Sequence, residues 1–96
     1  MPTFGAEARF RREYAKLTQG EREQFRVARI KFVTGLRAGR VSSSLRIKRV
    51  QGTTDVYEMT WAPDGRATFR YGDAVRLGDP HIVWRRVGGH DIFDEP

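Results

Sequence analysis

Four short segments beyond residue 44 do most to limit what this chain can fold into. "LRIKRV", "VYEMTWA", "RATFRY" and "HIVWRRV" are each rich in β-branched and aromatic residues, and "QGTTD", "PDG" and "GDAVRLGDP" separate them. Such a series reads as a meander. Pro63-Asp64-Gly65 is its clearest turn, because proline, aspartate and glycine each satisfy a different backbone need there. Alternation then assigns faces. Tyr57, Met59 and Trp61 share one side and leave Glu58 and Thr60 on the other, while Ala67, Phe69 and Tyr71 oppose Arg66, Thr68 and Arg70. One sheet face is therefore apolar and the other polar and cationic. Leu45 and Ile47 against Arg46 and Lys48 repeat the pattern until Arg49-Val50 breaks it, as a bulge does. In the last segment Ile82, Trp84 and Arg86 fall on one side and His81, Val83, Arg85 and Val87 on the other. The pattern leaves open which of Arg85 and Arg86 joins the cationic face.

An apolar sheet face needs a cover, and the first 40 residues supply it. Phe10, Tyr14 and Leu17 recur at helical spacing. Thr18, three residues before Glu21, is a capping-box signature that starts a second helix, whose stripe of Phe25, Ala28, Phe32 and Leu36, widened by Val33, ends at Gly39. Helices joined this tightly are expected to form an antiparallel hairpin on one face of a small antiparallel sheet. The fold class is α+β, with residues 1–96 forming one two-layer domain, since 96 residues close a single modest core.

Without cysteine and with two histidines, the chain offers no disulfide framework and no structural metal set. No apolar run approaches the roughly 18 residues of a membrane span, and "MPTFGAEARF" lacks the apolar core of a secretory signal, so a soluble cytoplasmic protein is expected. The net charge of +6 favours a polyanionic partner, nucleic acid or an acidic protein. Residues 41–96 carry equal numbers of acids and bases, so the whole excess lies in residues 1–40. That excess reads either as an ordinary solvated helix face or as an attractive surface for RNA, and the dominance of arginine over lysine suits phosphate. A GC-rich genome gives the same arginine bias.

Arg66, Arg70, one of Arg46 or Lys48, and one of Arg85 or Arg86 collect on one sheet face, and His90 follows the last strand after Gly88-Gly89. Cleaving RNA at its own 2′-hydroxyl needs a base, an acid and fixed positive charge around the phosphorane, which histidine and arginine can provide. Alternatively, His90 is an exposed turn residue. The order of elements, with "LRIKRVQG", "PDGRATFRYG" and above all "HIVWRRVGGHDIF", resembles the RelE/ParE superfamily of bacterial toxins. The YafQ-like members, whose last strand also ends in Gly-x-His followed by Phe, share the most. The resemblance spans roughly residues 5–94 and is sharpest at the C-terminal end.

The resemblance implies a toxin of a type II toxin–antitoxin pair that enters the ribosomal A site and cuts mRNA, using no metal or cofactor and leaving a 2′,3′-cyclic phosphate. Its partners would be an acidic antitoxin, ribosomal RNA and message. Arg66 matches the arginine that stabilises the scissile phosphate, and His90 matches the general acid or base. Lys48 and Arg46 fall in the strand that contacts phosphates, with Arg49, Arg70, Arg85 and Arg86 as further RNA contacts. Phe93 falls where an aromatic ring sits near the cleaved nucleotide, and Asp91 either orients His90 or caps a turn. Arg26 and Arg29 on the second helix are expected to dock on ribosomal RNA. A gyrase poison of the ParE branch and a non-catalytic module binding RNA or antitoxin are the rival readings, and a gyrase binder needs no imidazole at that place. Three departures stand out: Phe93 lacks the phenolic hydroxyl of some relatives, histidines are fewer, with His81 expected to face solvent, and "MPTF" is short for the family's opening strand.

Overall fold

The computed structural model describes residues 2–96. Thr3–Ala6 forms β1, Ala8–Lys16 α1 and Gln19–Ala38 α2; Lys48–Arg49 is β2, Tyr57–Ala62 β3, Gly65–Gly72 β4 and His81–Gly88 β5. Short 3₁₀ turns occupy Ser43–Leu45 and His90–Asp94. The five strands make one sheet in the order β1-β5-β4-β3-β2, and the expected meander is its β2-to-β5 part. The expectation of an antiparallel sheet needs one correction: β1 runs parallel to β5, from Thr3 opposite His81 to Ala6 opposite Trp84, so the sheet is mixed. Parallel neighbours need a long crossover, and here everything from α1 to β4 lies between them. The segment too short on paper for an opening strand therefore forms one. His81 consequently does not face open solvent; it is half-buried, with Nδ1 2.6 Å from Thr3 Oγ1.

"LRIKRV" is also corrected. Only Lys48 and Arg49 pair with β3, opposite Glu58 and Tyr57. Upstream, the Ser42 hydroxyl accepts from Ser44 N, a 3₁₀ turn forms, and Arg46 adopts a left-handed φ of 51°. Leu45 is buried and Ile47 packs on the core while Arg46 and Lys48 are exposed, so the alternation is real, although a turn rather than a strand produces much of it. No bulge occurs at Arg49-Val50. Register shifts fall instead between Thr60 and Ala62 on β3 and at Thr68/Phe69, where Thr68 faces Arg86 and Phe69 faces Trp84. The second shift makes Arg85 an extra residue in β5 and turns Ile82, Trp84 and Val87 all toward the core.

The helices follow the sequence closely. Thr18 and Glu21 form both bonds of the capping box, and Gly39 closes α2 at φ 74°. Helix α1 packs on β5 and α2 on β3, and the two meet through Phe10, Tyr14 and Phe25. Phe32, Phe69 and Trp84 fill the space between layers in edge-on and tilted contacts, with ring centroids 5.1–6.1 Å apart. Gly35 sits on the buried face of α2, where a Cβ would lie 2.7 Å from Val41 Cα and 2.9 Å from the Arg40 carbonyl oxygen. Helix propensity alone would make Gly35→Ala stabilising by about 1 kcal/mol. Backbone cannot give way as a side chain can, so overpacking of about 1–3 kcal/mol should reverse the sign. A lower urea midpoint for Gly35→Ala is the expected result, and a higher one would show that the chain after α2 is free to move.

Candidate functional site

Side chains from β2, β3, β4 and the C-terminal turn meet in a cleft of about 400 Å³ on the sheet face opposite the helices. Arg46, Lys48, Val50, Gln51, Glu58, Thr60, Arg66, His90 and Phe93 line it. Strand order explains the gathering: Lys48 stands opposite Glu58, Thr60 opposite Arg66, and Arg66 opposite Gly88 at the end of β5. Two residues later the chain enters the turn that carries His90 and Phe93, whose rings touch edge to face with centroids 5.1 Å apart.

Arg66 is held in a particular way. Its Nη1 donates to the carbonyls of Ala62, Pro63 and Gly65 at 3.2, 3.3 and 2.9 Å, all on the β3–β4 turn. Among the described residues no hydrogen bond engages its Nε or Nη2, so that edge of the guanidinium remains available to an oxyanion. His90 is exposed. Asp91 is exposed too and makes no hydrogen bond to His90, which leaves the orienting role without a contact. Gly88-Gly89 earns its place by closeness rather than by a left-handed turn: Gly89 is extended, and a Cβ on Gly88 would lie 3.0 Å from Ile92 Cγ2, which folds back over it.

The remaining cations lie elsewhere. Arg70 and Arg85 share one carboxylate, with Glu7 Oε2 at 3.3 and 3.2 Å. Arg86 is turned inward: it donates to Glu13, at 2.8 Å for the shortest bond, and to the carbonyls of Ile92 and Glu95, and the Glu13 hydrogen bond foremost raises its pKa above the ordinary arginine value. Thr68, expected on an open face, is fully buried beneath the C-terminal turn and donates to a backbone oxygen of Pro96. The cationic face is thus half covered, and its open half is the cleft. Arg49 pairs opposite Tyr57, on the other side of β2 from Lys48.

Arg26 and Arg29 line a separate groove of about 360 Å³ on the helical side, together with Arg11, over Phe4, Tyr14 and Trp84. Arg26 forks onto Glu23, whose carboxyl that hydrogen bond holds below its usual pKa. The cleft residues outside the set expected from sequence are Glu58, Thr60, Gln51 and Val50. The first two were legible, since alternation had already set them opposite Tyr57, Met59 and Trp61.

No protein-family model and no curated protein sequence matches the chain. Solved structures do. The RelB–RelE antitoxin–toxin complex from Methanococcus jannaschii superposes with a TM-score of 0.64 at 14% identity, covering 95% of this chain and 95% of that one. The E. coli DinJ–YafQ toxin–antitoxin complex gives 0.68 at 12% identity over 94% and 93%. The fold is that of the RelE-like toxins. A metal-bound toxin from Helicobacter pylori adds a third match, at 0.60 and 14% identity over 95% and 97%.

Proposed function

We propose that this chain is the toxin of a type II toxin–antitoxin pair, an endoribonuclease that cuts ribosome-bound mRNA by side-chain acid–base chemistry and leaves a 2′,3′-cyclic phosphate. The observation that carries the reading is the cleft itself. Five residues marked from sequence, Arg46, Lys48, Arg66, His90 and Phe93, converge there although they span 48 positions of the chain. Arg66 offers fixed charge to the phosphorane, Arg46 and Lys48 hold flanking phosphates, His90 moves a proton, and Phe93 stacks on a base. The work is done in the cytoplasm, where the ribosome is, and an acidic antitoxin neutralises the basic surfaces. Structures similar to this one include toxins bound to antitoxins.

Purified ribosomes carrying a defined message provide the test. Adding the protein should give A-site cuts with 5′-hydroxyl and cyclic-phosphate ends. Message left intact in the A site at stoichiometric protein would overturn the proposal.

Arg26 and Arg29 have a separate role in this reading, docking on ribosomal RNA from the helical side. Arg26→Glu with Arg29→Glu places acids beside Glu23 and removes two phosphate contacts. Ribosome affinity should fall and its salt dependence change by the counterions no longer released, while cleavage of message already bound stays the same. Unchanged affinity would return these arginines to an ordinary solvated face.

A further inference from the structure

The cleft holds a carboxylate to which no role has yet been given. Among the described residues that line it, Glu58 is the one acid. Its side chain is 13% exposed, and its ion-pair partner is Lys48 Nζ at 4.0 Å, a long contact to a group 68% exposed. The other semi-buried acids are engaged differently: Glu13 grips Arg86 at 2.8 Å, and Glu7 accepts from two arginines. A half-buried carboxylate that lines the cleft wall and is so loosely paired is left available to a group bound in the cleft. Glu58 is also rigidly placed, in mid-β3 beside the fully buried Met59, with β2 on one side and β4 on the other.

Sheet order sets it in a definite relation to the other groups. Glu58 stands on β3, Arg66 follows on β4, and His90 lies beyond the end of β5. A phosphate held by Arg66 would have the carboxylate toward one side and the imidazole toward the other. In-line attack places the entering and leaving oxygens on opposite sides of phosphorus. We infer that Glu58 is the base that takes the 2′-hydroxyl proton and that His90 is the acid that protonates the departing oxygen. The inference rests on the ribonuclease reading above and assigns its proton transfers. The 2′-oxygen gives its proton to Glu58 and bonds to phosphorus, the bond from phosphorus to the 5′-oxygen breaks, and the imidazolium of His90 protonates that oxygen. A cyclic phosphate and a 5′-hydroxyl result. Glu58 is left protonated and His90 neutral, and exchange with water restores both.

Glu58→Gln keeps the size and polarity of the side chain but accepts no proton. In single-turnover cleavage on ribosomes its rate should fall about 10²–10⁴-fold, with the acid limb of the rate–pH profile lost and the urea midpoint unmoved. A message with sulfur in place of the scissile 5′-oxygen separates the two roles, because a thiolate leaves without protonation. It should restore cleavage to His90→Ala and not to Glu58→Gln. Rescue of Glu58→Gln and not His90→Ala would exchange the roles and overturn the inference. So would a Glu58→Gln protein with the wild-type rate, or a slow one whose profile keeps both limbs. Failure of the wild-type protein to cut at all is a different result, which removes the ribonuclease reading and this inference with it.

Discussion

Replacing His90 by alanine is expected to lower the single-turnover cleavage rate on ribosome-bound message by about 10²–10⁴-fold, the usual loss for one acid–base group, with message binding nearly unchanged. His90 is exposed and supports no part of the core, so the fold should survive the change. The comparison with Arg66→Ala makes the result specific. Arginine stays charged throughout the accessible range and acts by position, so Arg66→Ala should depress the rate by about 10²-fold or more while leaving the shape of the rate–pH profile intact. His90→Ala should instead flatten one limb, the one that reports the proton held by the imidazole. Three turn carbonyls hold Arg66 Nη1, so Arg66→Lys should not rescue: an ammonium cannot satisfy the turn and present a two-pronged edge at once. Should His90→Ala cleave at the wild-type rate, His90 is a turn residue and the proton transfers fall to other groups.

The parts of this fold legible in the sequence were those fixed by local chemistry. Thr18 and Glu21 cap a helix through atoms three residues apart, and Tyr57, Met59 and Trp61 share a face because strands alternate. What escaped depended on distant partners. A four-residue β1 has no stable existence until β5, 78 positions later, offers an edge. The side taken by Arg85 and Arg86 turns on one extra residue in β5, which period-two reasoning has no means to foresee. The lining of the cleft was legible where cations alternate with apolar residues, as at Arg66. Arg70 and Arg85 stand outside the cleft and pair with Glu7, an acid far away in sequence that no local pattern brings to them. Glu58 as a site residue was not legible for a simpler reason: a lone acid on a cationic sheet face carries no mark of its own in the sequence.

Arg86 turns from a presumed RNA contact into the pin that holds the site in place, and its loss should have the largest effect on stability. Its side chain is 10% exposed and that of Glu13 20%. From this position it joins three elements: α1 through Glu13, β5 on which it stands, and the C-terminal turn through the carbonyls of Ile92 and Glu95. Arg86→Met removes every one of these donors and leaves the Glu13 carboxylate half-enclosed with the Val87 amide at 3.3 Å as its remaining partner. Stranding one member of a buried pair costs about 3–5 kcal/mol, and the exposure of Glu13 argues for the lower end, so a drop of about 3 kcal/mol in urea-measured stability is expected. Removing both charges, as Arg86→Met with Glu13→Leu, should recover much of that loss, because no unpaired charge remains and apolar groups fill the space. The recovery should not extend to function. Among the described residues Arg86 is the side chain that binds the Ile92 and Glu95 carbonyls to the sheet, and His90 and Phe93 ride on the same turn. The double variant should therefore fold well, bind message through Arg46 and Lys48, and cleave slowly. A double variant restored in both stability and cleavage would mean that Ile92 packing on Gly88, with the Thr68 and Arg85 hydrogen bonds to the Pro96 oxygen, holds the turn in position, and that Arg86 contributes charge pairing without aligning the turn.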